Sequence, residues 1–445
     1  MLTHKVKIMK RLLYSKLLEW KNKKSRKPLI LEGARQVGKT WLLKEFGKNE
    51  YENVAYINCD NNKKVQDLFS DFNIPRIIMN LSAIANTNIL PEKTLIILDE
   101  IQEVPLAITS LKYFNEDAPE YHIAVAGSLL GLKVHEGTGF PVGKTEGLKL
   151  YPLSFKEFLL ALKKDILVGF IEKHNWKDLN PLNSELIELL RQYYFVGGMP
   201  AVVQEYVSTK DLIQVRQLQK EILSGYENDF SKHAPNSQIS KISMVWNSIP
   251  SQLAKENKKF IYGAMKPGAR AKEFEDSIQW LINAGLIHKV KRVKKIEMPL
   301  KFYEDISAFK IYINDLGLLG AMCDTPAQDI LIGSDVFTSY KGSFTEQYIA
   351  QQFISELGES LYYYSNERST LEIDFVIQTN KVYPIEVKAE ENLKSKSLSL
   401  VLKYSEDLYG IRFSMSYYRE QERMNNIPLP LAQEYVKALA YKGRG

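Results

Sequence analysis

Cysteine is nearly missing from this chain, with Cys59 and Cys323 the only two among 445 residues. Two thiols so far apart make no disulfide framework and lack metal-ligand spacing. That fits a cytoplasmic protein in a reducing environment, with both thiols as packing residues. Long apolar runs are missing too, and no stretch approaches the ~20 residues that span a bilayer. The basic start of the chain is followed by no apolar segment, so a secretory signal is not expected. Charge of one sign is scarce outside that start. The net charge is +6, yet residues 1–28 hold ten Lys/Arg against Glu19 alone, which leaves −3 over the remainder. Any further basic surface must therefore be local. What is present, 45% hydrophobic and 25% charged residues, is the mix of a soluble globular chain, and the length suggests about three domains.

Leu12, Leu13, Leu17 and Leu18 form one helical stripe in the basic start. The stripe predicts a helix docked on the next domain, with a membrane surface or DNA as the alternative. From Leu29 onward short apolar runs alternate with helical stretches, the pattern of a parallel α/β sheet. Strands are expected at Leu29–Leu31, Val54–Ile57, Thr94–Leu98, His122–Ala126 and Leu148–Tyr151. After Pro152 the pattern turns helical over 154–164, 184–195 and 211–228, broken by Gly197-Gly198-Met199-Pro200, as in a helical lid. Helices expected at 239–256 and 271–284 precede a basic hairpin at Leu286–Phe302, the layout of a winged helix. Residues 342–445 return to α/β pattern.

Gly33-Ala34-Arg35-Gln36-Val37-Gly38-Lys39-Thr40 satisfies the phosphate-binding pattern G-x-x-x-x-G-K-[ST] between a strand and a helix. Glycines let backbone N–H groups curl around phosphate oxygens at a helix N-terminus. Lys39 places a point charge on the β/γ-phosphates of ATP, and the Thr40 hydroxyl ligates Mg²⁺. Thr94–Leu98 is an apolar strand ending in Asp99 and Glu100. In that position Asp99 holds the metal's hydration shell and Glu100 polarises the attacking water; the plain alternative is a solvated strand end. Ser128, after the fourth strand, is either a γ-phosphate sensor or an ordinary turn serine. No arginine announces itself as a finger, and Arg191 and Arg216 are candidates by their place in the lid.

Glu372–Gln378 and Val382–Lys388 alternate about a Thr379-Asn380-Lys381 turn. With that turn, Asp374 opposes Glu386 and Glu372 opposes Lys388 on one face. Opposed carboxylates repel unless a cation lies between them. Mg²⁺ suits the oxygens and Lys388 suits phosphate charge, the arrangement of PD-(D/E)XK nucleases, with Glu346 as a further carboxylate. A solvated face with cross-paired charges is the plain alternative, and one register shift would break the geometry. Lys289, Lys291, Arg292, Lys294, Lys295 and Lys301 offer phosphate contacts from the expected wing, or simply a solvated hairpin.

Gly33–Thr40, Leu98–Gln102, Ala126–Ser128, Tyr151–Phe155, Gly197–Pro200, Asp315–Leu319 and the Glu372–Lys388 hairpin together resemble prokaryotic AAA-type ATP-binding proteins with a C-terminal domain of unknown function. The resemblance runs over nearly the whole chain. It implies a basic N-terminal helix (1–28), an ATPase core (29–152), a helical lid (153–236), a winged helix (237–325) and a restriction-endonuclease-like α/β domain (326–445). Lys39, Thr40, Asp99 and Glu100 become ATPase residues, and Glu346, Asp374, Glu386 and Lys388 the nuclease-like set. Lys144 departs from the pattern, standing where an arginine is expected. The expected function is a Mg²⁺-dependent ATPase whose nucleotide state controls a DNA-binding or nuclease module, self-association included. The rival is a signalling ATPase whose nuclease-like fold survives as an interaction platform.

Overall fold

The computed structural model describes residues 9–128, 141–255, 258–333, 340–358, 360–367, 370–391 and 394–442. Two compact units divide the chain. One comprises Lys10–Tyr151 with Asn283–Gly285, the other essentially Pro152–Ile282 with Leu286–Gly445.

In the first unit β1 (Leu29–Gly33), β2 (Asn53–Asn58), β3 (Thr94–Asp99), β4 (His122–Ser128) and β5 (Glu146–Lys149) form one sheet in the order β2-β3-β4-β1-β5. Every pairing is parallel. Parallel strands are covered on both faces, which is why every residue of β3 is buried. The last strand starts earlier than the apolar run Leu148–Tyr151 suggests. β5 pairs with Leu29–Glu32 through Glu146–Lys149, and only the Leu150 amide continues, onto the Glu32 carbonyl. The basic helix forms at Tyr14–Lys21 and docks on the core. Of its expected stripe only Leu17 is fully buried. Trp20 replaces the other leucines, packing on Phe46 with ring centroids 6.5 Å apart.

In the second unit β6 (Ile287–Val293), β7 (Glu304–Ile313), β8 (Tyr362–Ser365), β9 (Glu372–Gln378), β10 (Val382–Val387), β11 (Gly410–Ser414), β12 (Arg419–Glu420) and β13 (Met424–Pro428) share a sheet ordered β12-β13-β11-β10-β9-β8-β6-β7. Helices Asn183–Val196, Leu212–His233, Ile239–Leu253 and Ala271–Asn283 form close to the expected ranges. The basic hairpin differs. Its second arm is β7, beyond Phe302, because residues 294–303 serve as the connection. Nor is it a free wing, since β6 also pairs in parallel with β8. The sheet thus runs across the boundary expected at residue 325.

Three of the sequence motifs prove to be one another's partners. Gly197 has φ +73°, and the Gly198 amide donates to Asp315 Oδ2 at 2.6 Å. A Cβ on Gly198 would lie 2.1 Å from the Leu153 carbonyl, so only glycine lets these backbones meet. Asp315 also caps the Leu316–Met322 helix by accepting from the Leu318 amide. Ser154 and Glu157 close a capping box on helix Phe155–Ala161.

Helix Lys341–Leu357 ties this unit together through its buried amides. Gln347 exchanges two hydrogen bonds with the Ile313 backbone, at 2.7 and 3.0 Å. Gln351 accepts from the Leu316 amide and Gln352 from the Phe155 amide, both at 2.9 Å.

Candidate functional site

The phosphate loop has the backbone its sequence demands. Gly33, Gln36 and Gly38 take φ values of +154°, +65° and +94°. A Cβ on Gly33 would stand 2.3 Å from the Leu150 carbonyl. Ala34 and Val37 are buried while Arg35 is half-buried and Gln36 exposed. Gly38 then leads into helix Lys39–Glu50, whose first amides point back into the loop. Lys39 is buried, and its ammonium donates to the Gly33 and Ala34 carbonyls at 2.9 Å each. Burial pulls its pKa down to about 8, against the opposing pull of Glu100 and Asp99. The side chain is therefore still a cation at neutral pH.

The two ATPase motifs meet at one hydrogen bond. Thr40 Oγ1 donates to Asp99 Oδ2 at 2.7 Å. Asp99 Oδ1 accepts the Glu100 amide at 3.2 Å, and Tyr56 Oη donates to Oδ2 at 3.1 Å. A hydroxyl beside a carboxylate is a hard-oxygen pair suited to Mg²⁺ with water completing the shell, so this donor set fits the ion. Glu100 has a left-handed φ of +51°, and its Oε2 accepts from Gln102 Nε2 at 2.6 Å. Ser128 ends β4 opposite Gly33, which puts its backbone beside the loop; its side chain lies outside the described residues.

Sequence reasoning missed Arg11 and Tyr56. Arg11, only 7% exposed, donates from Nη1 to the Val37 carbonyl at 2.8 Å and from Nη2 to the Tyr151 carbonyl at 2.6 Å. An arginine with a basic run around it carries no local sign of this contact. Other arginine candidates change character. Arg216 lies 4.7 Å over the Phe195 ring and donates to the Thr325 carbonyl at 2.8 Å, which makes it an internal packing group. Arg191 is half-buried on helix Asn183–Val196. Lys144 pairs with Glu116 at 2.8 Å.

In the second unit the β9–β10 hairpin has the expected register, from Val382↔Gln378 to Ile385↔Phe375. The charged residues do not gather as expected, however: Glu346, Glu372 and Asp374 surround Lys310. β9 bulges against β8 between Tyr362 and Tyr364. Asp374 Oδ2 accepts the Val387 amide at 2.7 Å. Glu386 pairs with Lys388 at 2.7 Å, as the plain reading allowed, and its Oε2 is buried without a hydrogen-bond partner. Glu346 pairs with Lys258 at 2.6 Å and receives Tyr312 Oη at 3.3 Å. Glu372, expected opposite Lys388, instead holds Lys310 at 2.5 Å. Lys310 is fully buried and also lies 3.7 Å from Glu346. Burial opposes its charge, but Glu346, Glu372 and Asp374 outweigh that and raise its pKa. Burial and the Glu346 charge push Asp374 up to about 7. Among the described residues no group of three acidic, His or Cys side chains is arranged to hold a metal ion. The expected Mg²⁺ finds no free donor set here: Glu346 and Glu372 face ammonium groups, Asp374 accepts the Val387 amide, and one orphaned oxygen of Glu386 is not a site.

The basic hairpin is also less free than its composition suggests. Lys291 pairs with Glu304 at 2.5 Å, and Arg292 engages Asp305 through Nε at 3.0 Å and through Nη2. Lys289 lies 4.2 Å over the Phe309 ring. Lys294, Lys295 and Lys301 remain exposed. No helix among the described residues is long and apolar enough to cross a membrane.

Three family models match parts of the chain. Residues 25–159 match the AAA domain family. Residues 187–329 match a Domain of unknown function (DUF8612) and residues 341–432 another (DUF4143). β6 and β7 thus fall under one family and β8–β13 under the other, although they share a sheet. No curated protein matches the chain. Similar solved structures include a Walker-type ATPase of Pyrococcus abyssi, at 14% identity over 71% of this chain and 96% of that one, with a TM-score of 0.44. The ORC1 protein of Aeropyrum pernix in complex with DNA follows at 13% identity over 71% and 91%, with a TM-score of 0.28. The first unit carries an AAA-type P-loop ATPase domain.

Proposed function

We propose that this protein is a Mg²⁺-dependent regulatory ATPase whose nucleotide state is read by its C-terminal module, a nuclease-like fold that acts as an interaction platform and does not cut. The hydrogen bond from Thr40 to Asp99 carries the ATPase half, because it joins the loop hydroxyl to the strand carboxylate in one donor set. Thr40 and Asp99 would hold Mg²⁺, which neutralises charge on the β- and γ-phosphates when bound. Lys39 leaves the loop carbonyls for the phosphates, its charge intact at neutral pH. Glu100 orients and polarises the attacking water once its bond to Gln102 opens. Lys39→Ala should abolish ATP binding, and Glu100→Gln should bind ATP but hydrolyse it at least tenfold more slowly. Equal ATP affinity in wild type and Lys39→Ala, by calorimetric titration, would sink this assignment.

Buried Lys310, held between Glu346 of the expected nuclease-like set and Glu372, supports the non-cutting half. Incubation with duplex and single-stranded DNA in Mg²⁺ or Mn²⁺ tests it. Cleavage that disappears in Asp374→Ala and Lys388→Ala would overturn it. A DNA-binding role keeps one observation of its own, the exposed Lys294, Lys295 and Lys301. Three phosphate contacts would give weak, salt-sensitive retention with a slope of about −2.7 in log K against log salt. A triple Lys→Ala variant that retains DNA equally well would remove that role.

A further inference from the structure

We infer that the ammonium of Lys310 is the resident cation of the C-terminal acidic cluster, standing in for the divalent ion that such carboxylates would otherwise take. The inference rests on the reading that this module does not cut, and it adds the reason.

Lys310 projects from β7, where it pairs across the ladder with Val290, and none of its surface is exposed. Its Nζ lies 2.5 Å from Glu372 Oε1, 3.7 Å from Glu346 Oε2 and 4.9 Å from the centre of the Tyr363 ring. Lys258 reaches the other Glu346 oxygen at 2.6 Å. Two ammonium groups thus face two glutamates, and the cluster is neutral before Asp374 is counted. Asp374 is left as the odd carboxylate, satisfied by the Val387 amide at 2.7 Å. A divalent ion entering here would bring uncompensated charge into a buried site, which is strongly unfavourable. It would also have to displace Lys310, a side chain enclosed on every side.

Removing the ammonium reverses that balance. Lys310→Met keeps the volume but leaves Glu346, Glu372 and Asp374 with only Lys258 for compensation. Buried like charges of this kind attract a cation. The residue that decides the chemistry comes from a strand 36 positions before Glu346 and 64 before Asp374, so a reading confined to the hairpin could not contain it.

The test uses the full chain without nucleotide and Mn²⁺ as the probe, read by calorimetric titration and by thermal melting. Wild type and Asp374→Asn should take up the same number of Mn²⁺ ions, since any ion at the phosphate loop is common to both. Lys310→Met should gain one Mn²⁺ ion, bound at least tenfold more tightly than any in wild type. That ion should raise its melting temperature and be lost in Lys310→Met with Asp374→Asn. A Mn²⁺ ion held by wild type and missing from Asp374→Asn overturns the inference, and this comparison stands even if Lys310→Met does not fold. A folded Lys310→Met that gains no ion overturns it too. Mn²⁺ uptake by wild type that is lost in Asp374→Asn, without DNA cleavage, would sink this inference alone, whereas cleavage would sink the reading beneath it.

Discussion

At the scale of single residues, Arg11 does most that the motifs do not announce. Its guanidinium joins the middle of the phosphate loop, at Val37, to the end of the sheet, at Tyr151. Arg11→Ala would leave two carbonyls without their charged donor, and such hydrogen bonds contribute about 1.5–3 kcal/mol each. We expect a loss of about 2–4 kcal/mol by denaturant unfolding, together with weaker ATP binding. Arg11→Lys, with one donor group in place of a fork, should recover only part of both. A folded Arg11→Ala with unchanged ATP affinity would show that the contact supports the sheet alone. Asp374 gives a pH prediction. Its folded pKa is raised from 3.8 to about 7 by burial and by Glu346. The contribution of this group to stability is therefore full below about 4 and is lost as pH rises through about 7. Glu346, Lys310 and Lys258 act on its charge, and burial raises Glu372 in the same direction. Asp374→Asn, which keeps an acceptor for the Val387 amide, should flatten the stability profile between pH 4 and 7. An unchanged profile would place the proton elsewhere.

At the scale of elements, the glutamines of helix Lys341–Leu357 do the joining that a reading by domains assigns to separate bodies. The side-chain amide of Gln347 satisfies the backbone N–H and C=O of Ile313 at the end of β7. Gln347→Ala orphans both groups in a buried setting, where each costs about 1–3 kcal/mol. The expected result is a loss of at least about 2 kcal/mol in the second unit. Faster hydrogen exchange should be confined to Ile313 and its neighbours. The basic hairpin shows the opposite lesson. Its charges were legible, but Glu304 and Asp305, which neutralise Lys291 and Arg292, lie on an arm whose position depends on a ten-residue connection.

At the scale of the whole molecule, two compact units imply two unfolding events with different ligand responses. ATP with Mg²⁺ binds the first unit and should stabilise it by about 2.7 kcal/mol at a hundredfold excess over Kd. Scanning calorimetry should show one transition moving upward with ATP and the other unmoved in temperature. Lys39→Ala should abolish the movement. A second transition rising in step with the first would mean that nucleotide binding stabilises both units together.

The candidate ATPase residues were legible in the sequence alone because their chemistry is local. Phosphate binding needs glycines, a lysine and a hydroxyl within eight consecutive positions, and an apolar strand ending in two carboxylates is equally short-range. Alternation and a three-residue turn likewise fixed the register of the β9–β10 hairpin. Only the tertiary structure decided what surrounds these groups. Arg11 on the loop, Tyr56 on Asp99 and Lys310 among the carboxylates all arrive from distant segments. Electrostatics in a buried site acts through space, with no regard for separation along the chain, so the sign of the charge beside Asp374 became readable only once the sheet was assembled.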